Sequence, residues 1–318
     1  MPKNHMTDMA IKWNNLRTDT FVAASAKKLP YILLIIITAF ILVSCVPINN
    51  STVLLPTVDD FSNPNEVTHR KNLRLGITPG PYGSMFSETI FPRLEALGYT
   101  LEIYEFSNFS EPNIALAEGI IDLNMFQHYD FLIDFNFDNN LDLSAITELP
   151  TLPMALFSKK YNSLADIEYG ATVVLPNDNT NLSRSLRILE FAGLIRLAAD
   201  ISRTRATVDD IIENPRGLDF MLRYAEDIPQ ILSYVSLGIV NGNFIISNGL
   251  DVSSALYVEV LSENYLNVIA IRTEDLNQQF ARDIIDVVYS PEFRDAILNK
   301  NGNYFFFQMP RNFSRILG

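Results

Sequence analysis

The sequence is short of the residues that build metal sites and disulfides. It has one cysteine, Cys45, and three widely scattered histidines, His5, His69 and His128. One cysteine cannot form a disulfide within the chain, and no metal-site spacing can be assembled from these four residues. Basic residues are also scarce, 24 Lys and Arg against 37 Asp and Glu, for a net charge of −13 with no dense basic run. A nucleic-acid groove is therefore not expected. The excess acid reads as solubility rather than a functional field. No G-x-x-x-x-G-K-[ST] phosphate loop is present and no nucleophile–base pairing stands out, so neither catalysis nor a cofactor is expected. Internal repeats and low-complexity tracts are lacking too.

What is present suits a globular protein. Of 318 residues, 48 % are apolar and 19 % charged, enough for two domains or one large one with a full core. Near the N-terminus, Lys27 and Lys28 precede a run of about a dozen apolar residues, Ile32 to Val43. The run is shorter than the ~20 residues of a comfortable membrane span and fits the apolar region of a secretory leader. Leu42-Val43-Ser44-Cys45 resembles a bacterial lipobox. That resemblance implies cleavage before Cys45 and lipidation of its thiol. The alternative is a permanent single-span anchor with an incidental cysteine. Either way the protein lies outside the cytoplasm on a membrane. Residues 1–44 are therefore set apart as an N-terminal extension and leader, with Met6 or Met9 as alternative starts. Residues 45–70, rich in Pro, Asn, Ser and Thr, read as a lipidated tether.

From Leu73 onward short apolar runs alternate with helical patterns. Strands are expected at LRLGIT (Leu73 to Thr78), TLEIYEF, IDLNMF, ATVVLP, LGIVNGNF and YLNVIAIR. Two more extended stretches lie within SAITELPTLPMALFS. Helices are expected at SMFSETIFPRLEALG, kinked or broken at Pro92, and at EPNIALAEG, YDFLIDFNFD, SLADIEYG, EDLNQQFARDIIDVVYS and SPEFRDAILNK. This alternation argues for an α/β fold with parallel sheets. Polar clusters follow several strands, as at a ligand crevice beyond strand ends, though ordinary turns favour the same residues.

One residue raises a question. Arg184 is expected in the first turn of the helix that opens in VVLPNDNTNLSRSL, where helix polarity disfavours a cation. A negative partner must compensate, from a ligand or from a nearby acid such as Asp178.

The order of these junctions resembles the NlpA/MetQ family of methionine-binding lipoproteins. The resemblance is carried by GITPGPYGSMF, EFSNFSEPNIALAEGIIDLNMFQHYDFL, VVLPNDNTNLSRSLRILEFAGLI, DIIENPRGLDF, IVNGNF and YSPEFRDAI. It implies a type II periplasmic-binding-protein fold: two α/β lobes, a hinge and a central ligand cleft. Lobe 1 would be residues 71–155 and 256–318, and lobe 2 residues 156–255, with the proline-rich Leu149 to Pro153 at a crossing. The implied function is capture of L-methionine or a close analogue for an ABC permease driven by a cytoplasmic ATPase. The implied location is the extracytoplasmic face of a membrane, held by the lipid anchor. A surface lipoprotein serving adhesion or signalling, and a receptor for another amino acid or a methionine dipeptide, are the alternatives.

By the same resemblance Arg184 binds the ligand carboxylate, a role a guanidinium fork can fill bidentately, and Asn241 binds the amino-acid backbone unless it is a plain turn residue. Phe109, Phe126 and His128 enclose the thioether, because sulfur against ring edges is favourable. Phe109 stands where the family commonly carries tyrosine. Asn214 is expected as a polar contact, Asn113 and Asn124 as structural residues shaping the site, and Tyr82 near the cleft mouth.

Overall fold

The computed structural model describes residues 70–299, 302–304, 306–311 and 313. The leader, Cys45 and all of the tether but Arg70 lie outside them.

Two five-stranded sheets organise the described chain. The first has the order β2-β1-β3-β12-β4, built from β1 (Asn72–Ile77), β2 (Thr100–Glu105), β3 (Leu123–His128), β4 (Leu143–Glu148) and β12 (Asn267–Arg272). The second has the order β11-β5-β10-β6-β9, from β5 (Ala155–Phe157), β6 (Thr172–Pro176), β9 (Asp219–Arg223), β10 (Leu237–Val240) and β11 (Tyr257–Val258). A two-stranded ribbon joins β7 (Arg196–Leu197) to β8 (Ile211–Glu213). β3, β4, β10 and β12 are buried along their whole length except for half-buried Ser144 in β4. β10 and the middle of β12 read as continuous apolar runs rather than as alternation, whereas β3 and β4 bury polar side chains as well.

The sheets are not purely parallel, as the alternation had led one to expect. β12 runs antiparallel to β3 and β4, and β5 antiparallel to β10 and β11. Each is the strand by which the chain enters one lobe from the other, so it arrives in the opposite direction to its neighbours. β11 pairs with β5 and belongs to the second sheet. The return crossing therefore falls after Val258 rather than at residue 256.

Helices cover the sheets. α1 (Tyr82–Met85) runs through a π-helical turn, Phe86–Ile90, into α2 (Phe91–Ala96). Pro92 sits at the start of α2. It lacks an N–H and its ring crowds the carbonyl four residues back. The wider π turn just before it removes that conflict, so the helix is re-registered rather than ended. α3 (Glu111–Ala117) and α4 (Tyr129–Asn139) complete the first half of lobe 1. α5 (Asn179–Phe191), α6 (Ile228–Ile231) and α7 (Gly242–Ser247) belong to lobe 2. α8 (Gln279–Val288) and α9 (Pro291–Leu298) return to lobe 1 and bury Phe280, Ile284, Val288 and Phe293 in its main core with Leu75 and Ile271. The lobe 2 core gathers Val173, Leu175, Leu186 and Ile239. The stretch SLADIEYG contains only the 3₁₀ turn Leu164–Asp166. Within LGIVNGNF the strand stops at Val240 and Asn241 caps α7.

Candidate functional site

Between the lobes lies a small cavity, lined from lobe 1 by Tyr82, Phe109, Phe126, Gln127, His128, Phe131 and Asn267, from lobe 2 by Asn181, Arg184, Asn241, Gly242 and Asn243, and from the crossing by Thr151 and Leu152. Strand ends deliver most of these groups. His128 ends β3 and caps α4, and Asn241 follows β10.

Arg184 is 3 % exposed. Its Nε donates to Glu259 Oε1 at 2.8 Å and its Nη2 to Glu259 Oε2 at 2.5 Å. A negative partner for Arg184 is thus present on the chain, and it is Glu259 rather than Asp178. Glu259 follows β11 at the return crossing. Its Oε2 also accepts from the Met154 N–H at 3.0 Å, while its own N–H donates to the Met154 carbonyl. One carboxylate therefore joins both crossings to α5. Arg184 also lies over the Tyr265 ring, 4.7 Å from its centroid. The two bonds to Glu259 use one edge of the guanidinium, and Nη1 takes no part in them.

α5 begins at Asn179, which puts Arg184 in its second turn, not its first. The helix start is occupied by Asp178, whose Oδ1 accepts from the Asn181 N–H at 2.9 Å and from Asn181 Nδ2 at 3.0 Å. Burial raises the Asp178 carboxyl above its usual range, against the hydrogen bonds from Asn181 and Thr180. The N-terminal end of α5 is already capped by this carboxyl group.

Asn181 is the polar centre of the site. Its Oδ1 accepts from Asn241 Nδ2 at 2.9 Å and lies 3.4 Å from His128 Nε2. His128 Nδ1 accepts from the Phe131 N–H at 3.1 Å, which leaves the ring proton on Nε2, facing Asn181. Burial, reinforced by the Arg184 charge, holds His128 well below the usual histidine range, so the ring is neutral near pH 7. Asn241 Oδ1 is buried and has no hydrogen-bond partner among the described residues. An unmet buried acceptor of this kind is costly unless a donor reaches it.

The opposite wall is aromatic. Phe109 stacks on Phe244 at 5.2 Å and meets Phe126 and Phe131, each at 6.0 Å. Beneath it Asn113, Asn124 and Gln127 close a triangle of amide bonds at 2.7–3.0 Å, so these three are satisfied and fix α3 to β3. Tyr82 is 2 % exposed. It forms part of the cavity wall rather than the mouth, and burial pushes its hydroxyl above the usual tyrosine range.

The lobes also touch around the cavity. Asn243 Nδ2 donates to the Pro79 carbonyl at 3.2 Å. Gly80 there has φ +142°, and a Cβ on it would stand 2.8 Å from Asn243. On another rim, Arg203 of lobe 2 grips Asp130 of α4 through Nε at 2.7 Å and Nη2 at 2.9 Å. Arg205 reaches Asp134 at 2.7 Å and Asp138 at 2.9 Å. Asp130, Asp134 and Asp138 recur every four residues and so share one helix face.

The residue set and the two-lobed frame meet a matching family model: that of the NlpA lipoprotein covers residues 73–307. The chain belongs to the NlpA lipoprotein family. Among curated NlpA-type relatives it is 32 % identical to outer membrane lipoprotein 3 of Mannheimia haemolytica, over 70 % of this chain and 84 % of that one. It is 34 % identical to the D-methionine-binding lipoprotein MetQ of Yersinia pestis, over 64 % and 75 %. A nutrient-binding protein of Burkholderia cenocepacia solved with methionine superposes with a TM-score of 0.68 at 30 % identity, covering 72 % of this chain and 96 % of that one. The structure of a Streptococcus pneumoniae methionine-transporter substrate-binding protein gives 0.66 at 32 % identity, over 73 % and 93 %. The periplasmic-binding-protein fold expected from the sequence is the fold observed.

Five of the six expected ligand-site residues, Phe109, Phe126, His128, Arg184 and Asn241, line the one cavity. Asn214 does not. Its Nδ2 donates to the Leu218 carbonyl and its Oδ1 accepts from the Leu218 N–H, so both ends of the amide are spent closing the turn before β9. Sequence reasoning missed Asn181, Phe131 and Glu259. Asn181 precedes Arg184 by three residues and so shares its helix face, a signal that was available. Phe131 lay inside a matched segment. Glu259 is a lone acid in an irregular stretch and carried no local signal. Among the described residues no cluster suits a metal ion, and no helix is long and apolar enough to cross a membrane.

Proposed function

We propose that this protein is an extracytoplasmic, lipid-anchored receptor that captures methionine or a close analogue between its lobes. It delivers the ligand to an ABC permease driven by a cytoplasmic ATPase, and it performs no chemistry of its own. The observation that carries this reading is the polarity of one cavity. At one end stand the Arg184 cation and the unmet Asn241 Oδ1, a donor and an acceptor suited to an α-carboxylate and an α-ammonium. At the other stand Phe109, Phe126 and Phe131, whose ring edges suit a thioether by roughly 0.3–1.5 kcal/mol. Glu259 takes the bidentate edge of Arg184, so the ligand carboxylate meets the Nη1 side. The names of relatives that bind methionine support the same class of ligand. Lipidation at Cys45 supplies the anchor.

Binding selectivity tests the reading. The purified full chain in detergent is unfolded and refolded to strip carried ligand, then titrated calorimetrically with L-methionine, D-methionine, methionine sulfoxide, leucine and glutamine. Binding restricted to the thioether amino acids supports the receptor. Folded protein that binds none of them rejects it and favours an adhesion or signalling lipoprotein.

A further inference from the structure

On its aromatic side the inner cavity shares lining residues with neighbouring space. It ends at a wall of rings with a second space behind it. That outer cleft runs between α3 and α4 of lobe 1 and the loops before α5 and α6 of lobe 2. Its two arms are lined by Ser110, Asn177 and Asp178 in common. Phe131 lines the inner cavity and both arms, and Phe109 lines the cavity and one arm. Among the described residues lining these spaces, these two side chains are the ones shared by the inside and the outside.

The wall is held firmly. Phe131 is 6 % exposed and packs edge-on to Phe109 at 6.0 Å and Phe126 at 6.2 Å, with its other side stacked on Phe135 at 5.8 Å. Its N–H is tied to His128 Nδ1. Phe109 is clamped across the lobes by Phe244. Neither ring can swing aside without losing several aromatic contacts. An amino acid whose backbone is held at Arg184 and Asn241 directs its side chain toward this wall.

We infer that Phe131, backed by Phe109, sets the maximum length of the ligand side chain by closing the inner cavity off from the outer cleft. This rests on the amino-acid receptor reading and adds to it the residue that measures the ligand. A side chain with the reach of methionine stops against the rings. A longer thioether has to displace them. Removing the Phe131 ring joins the two spaces and lets the extra length pass into the outer cleft.

The test is calorimetry on the full chain with L-methionine, L-ethionine and S-butyl-L-homocysteine, for the wild type, Phe131→Ala and Phe109→Leu. One methylene too many in a closed apolar pocket costs about 10–200-fold in discrimination. The wild type is expected to weaken at least about tenfold from methionine to the butyl compound. In Phe131→Ala that ratio should collapse to within about threefold, because the longer chain now has somewhere to go. Phe109→Leu, a smaller change, should move the ratio the same way and keeps the test alive if Phe131→Ala fails to fold. A folded variant that binds methionine with the wild-type ratio overturns the inference. A wild type that accepts all three thioethers equally overturns it as well. A wild type that binds no amino acid at all rejects the receptor reading instead, which is a different result.

Discussion

Arg184 and Glu259 form a buried, bidentate ion pair that ties the first half of α5 to both crossings between the lobes. The side chains are 4 % and 6 % exposed. Two charges held out of water cost a good deal of desolvation, so the pair adds little net stability but is expensive to break. Its geometric consequence is plain. The two bonds hold the guanidinium in one orientation at the cavity wall and leave Nη1 out of the pair.

Breaking the pair from the hinge side should therefore destabilise the fold. Glu259→Ala leaves Arg184 buried and uncompensated, at an expected cost of about 3–5 kcal/mol. The double variant Arg184→Leu/Glu259→Leu should cost less than Glu259→Ala alone, because no charge is left stranded. Urea denaturation of the three proteins measures this. Equal losses in single and double variants would mean that the pair is not buried as described.

The rim contacts make a separate prediction. Arg203 and Arg205 join lobe 2 to Asp130, Asp134 and Asp138 of α4. These contacts exist only while the lobes are together, so they bias the closed state. The arginines are partly exposed, so each pair is worth roughly 0.2–1 kcal/mol and is screened by salt. Arg203→Gln/Arg205→Gln should weaken ligand binding by about two- to tenfold at low salt and should flatten the dependence of affinity on ionic strength. Titrations from low to high salt check it. An unchanged salt slope would remove these pairs from the account of closure.

Two buried groups give opposite pH signatures. Burial, and then the negative charge of Glu263, pushes Glu148 up to about 7 from its usual 4.5. Between those values the folded state holds a proton the unfolded state has lost, so stability falls as pH rises through the window. Glu148→Gln lacks this loss. Its stability relative to wild type should climb from pH 4.5 to about 7 and then level off. Urea midpoints across that range decide the matter, and a flat difference would contradict it.

His128 behaves in reverse. Its folded pKa lies well below the usual 6.5, so below that pH the unfolded state takes a proton that the native ring refuses. Stability is full above about 6.5 and is lost as pH falls. The difference between wild type and His128→Gln should shift in favour of the variant as pH drops from 7.5 to 5, read from the same kind of denaturation series. No shift would mean that the native ring titrates normally.

Much of this was legible in the sequence, and the exceptions have physical causes. β6 and β10 are buried apolar runs that announce themselves, as does the apolar middle of β12. Phe109, Phe126, His128 and Asn241 sit at strand ends or in the loops beyond them, where function concentrates in α/β folds. The chain partner of Arg184 was not legible. Its partner on the chain was sought in Asp178, whereas Glu259 lies 75 residues away and is brought in by the return crossing. Local pattern carries no trace of such a pairing. The same crossing explains the antiparallel β5 and β12, since strand direction depends on where the chain comes from. Asn214 looked polar and available, but its amide is consumed by its own turn, which only coordinates reveal.

The most direct test of the central claim compares L-methionine with L-methioninol, which lacks the carboxylate, on wild type and Arg184→Lys by calorimetry, with circular dichroism confirming the fold. The account predicts that wild type binds methionine far more tightly than methioninol and that Arg184→Lys loses most of that preference. Equal binding of the two ligands by wild type, or a preference untouched by the substitution, would place the carboxylate elsewhere and contradict the role given to this cavity.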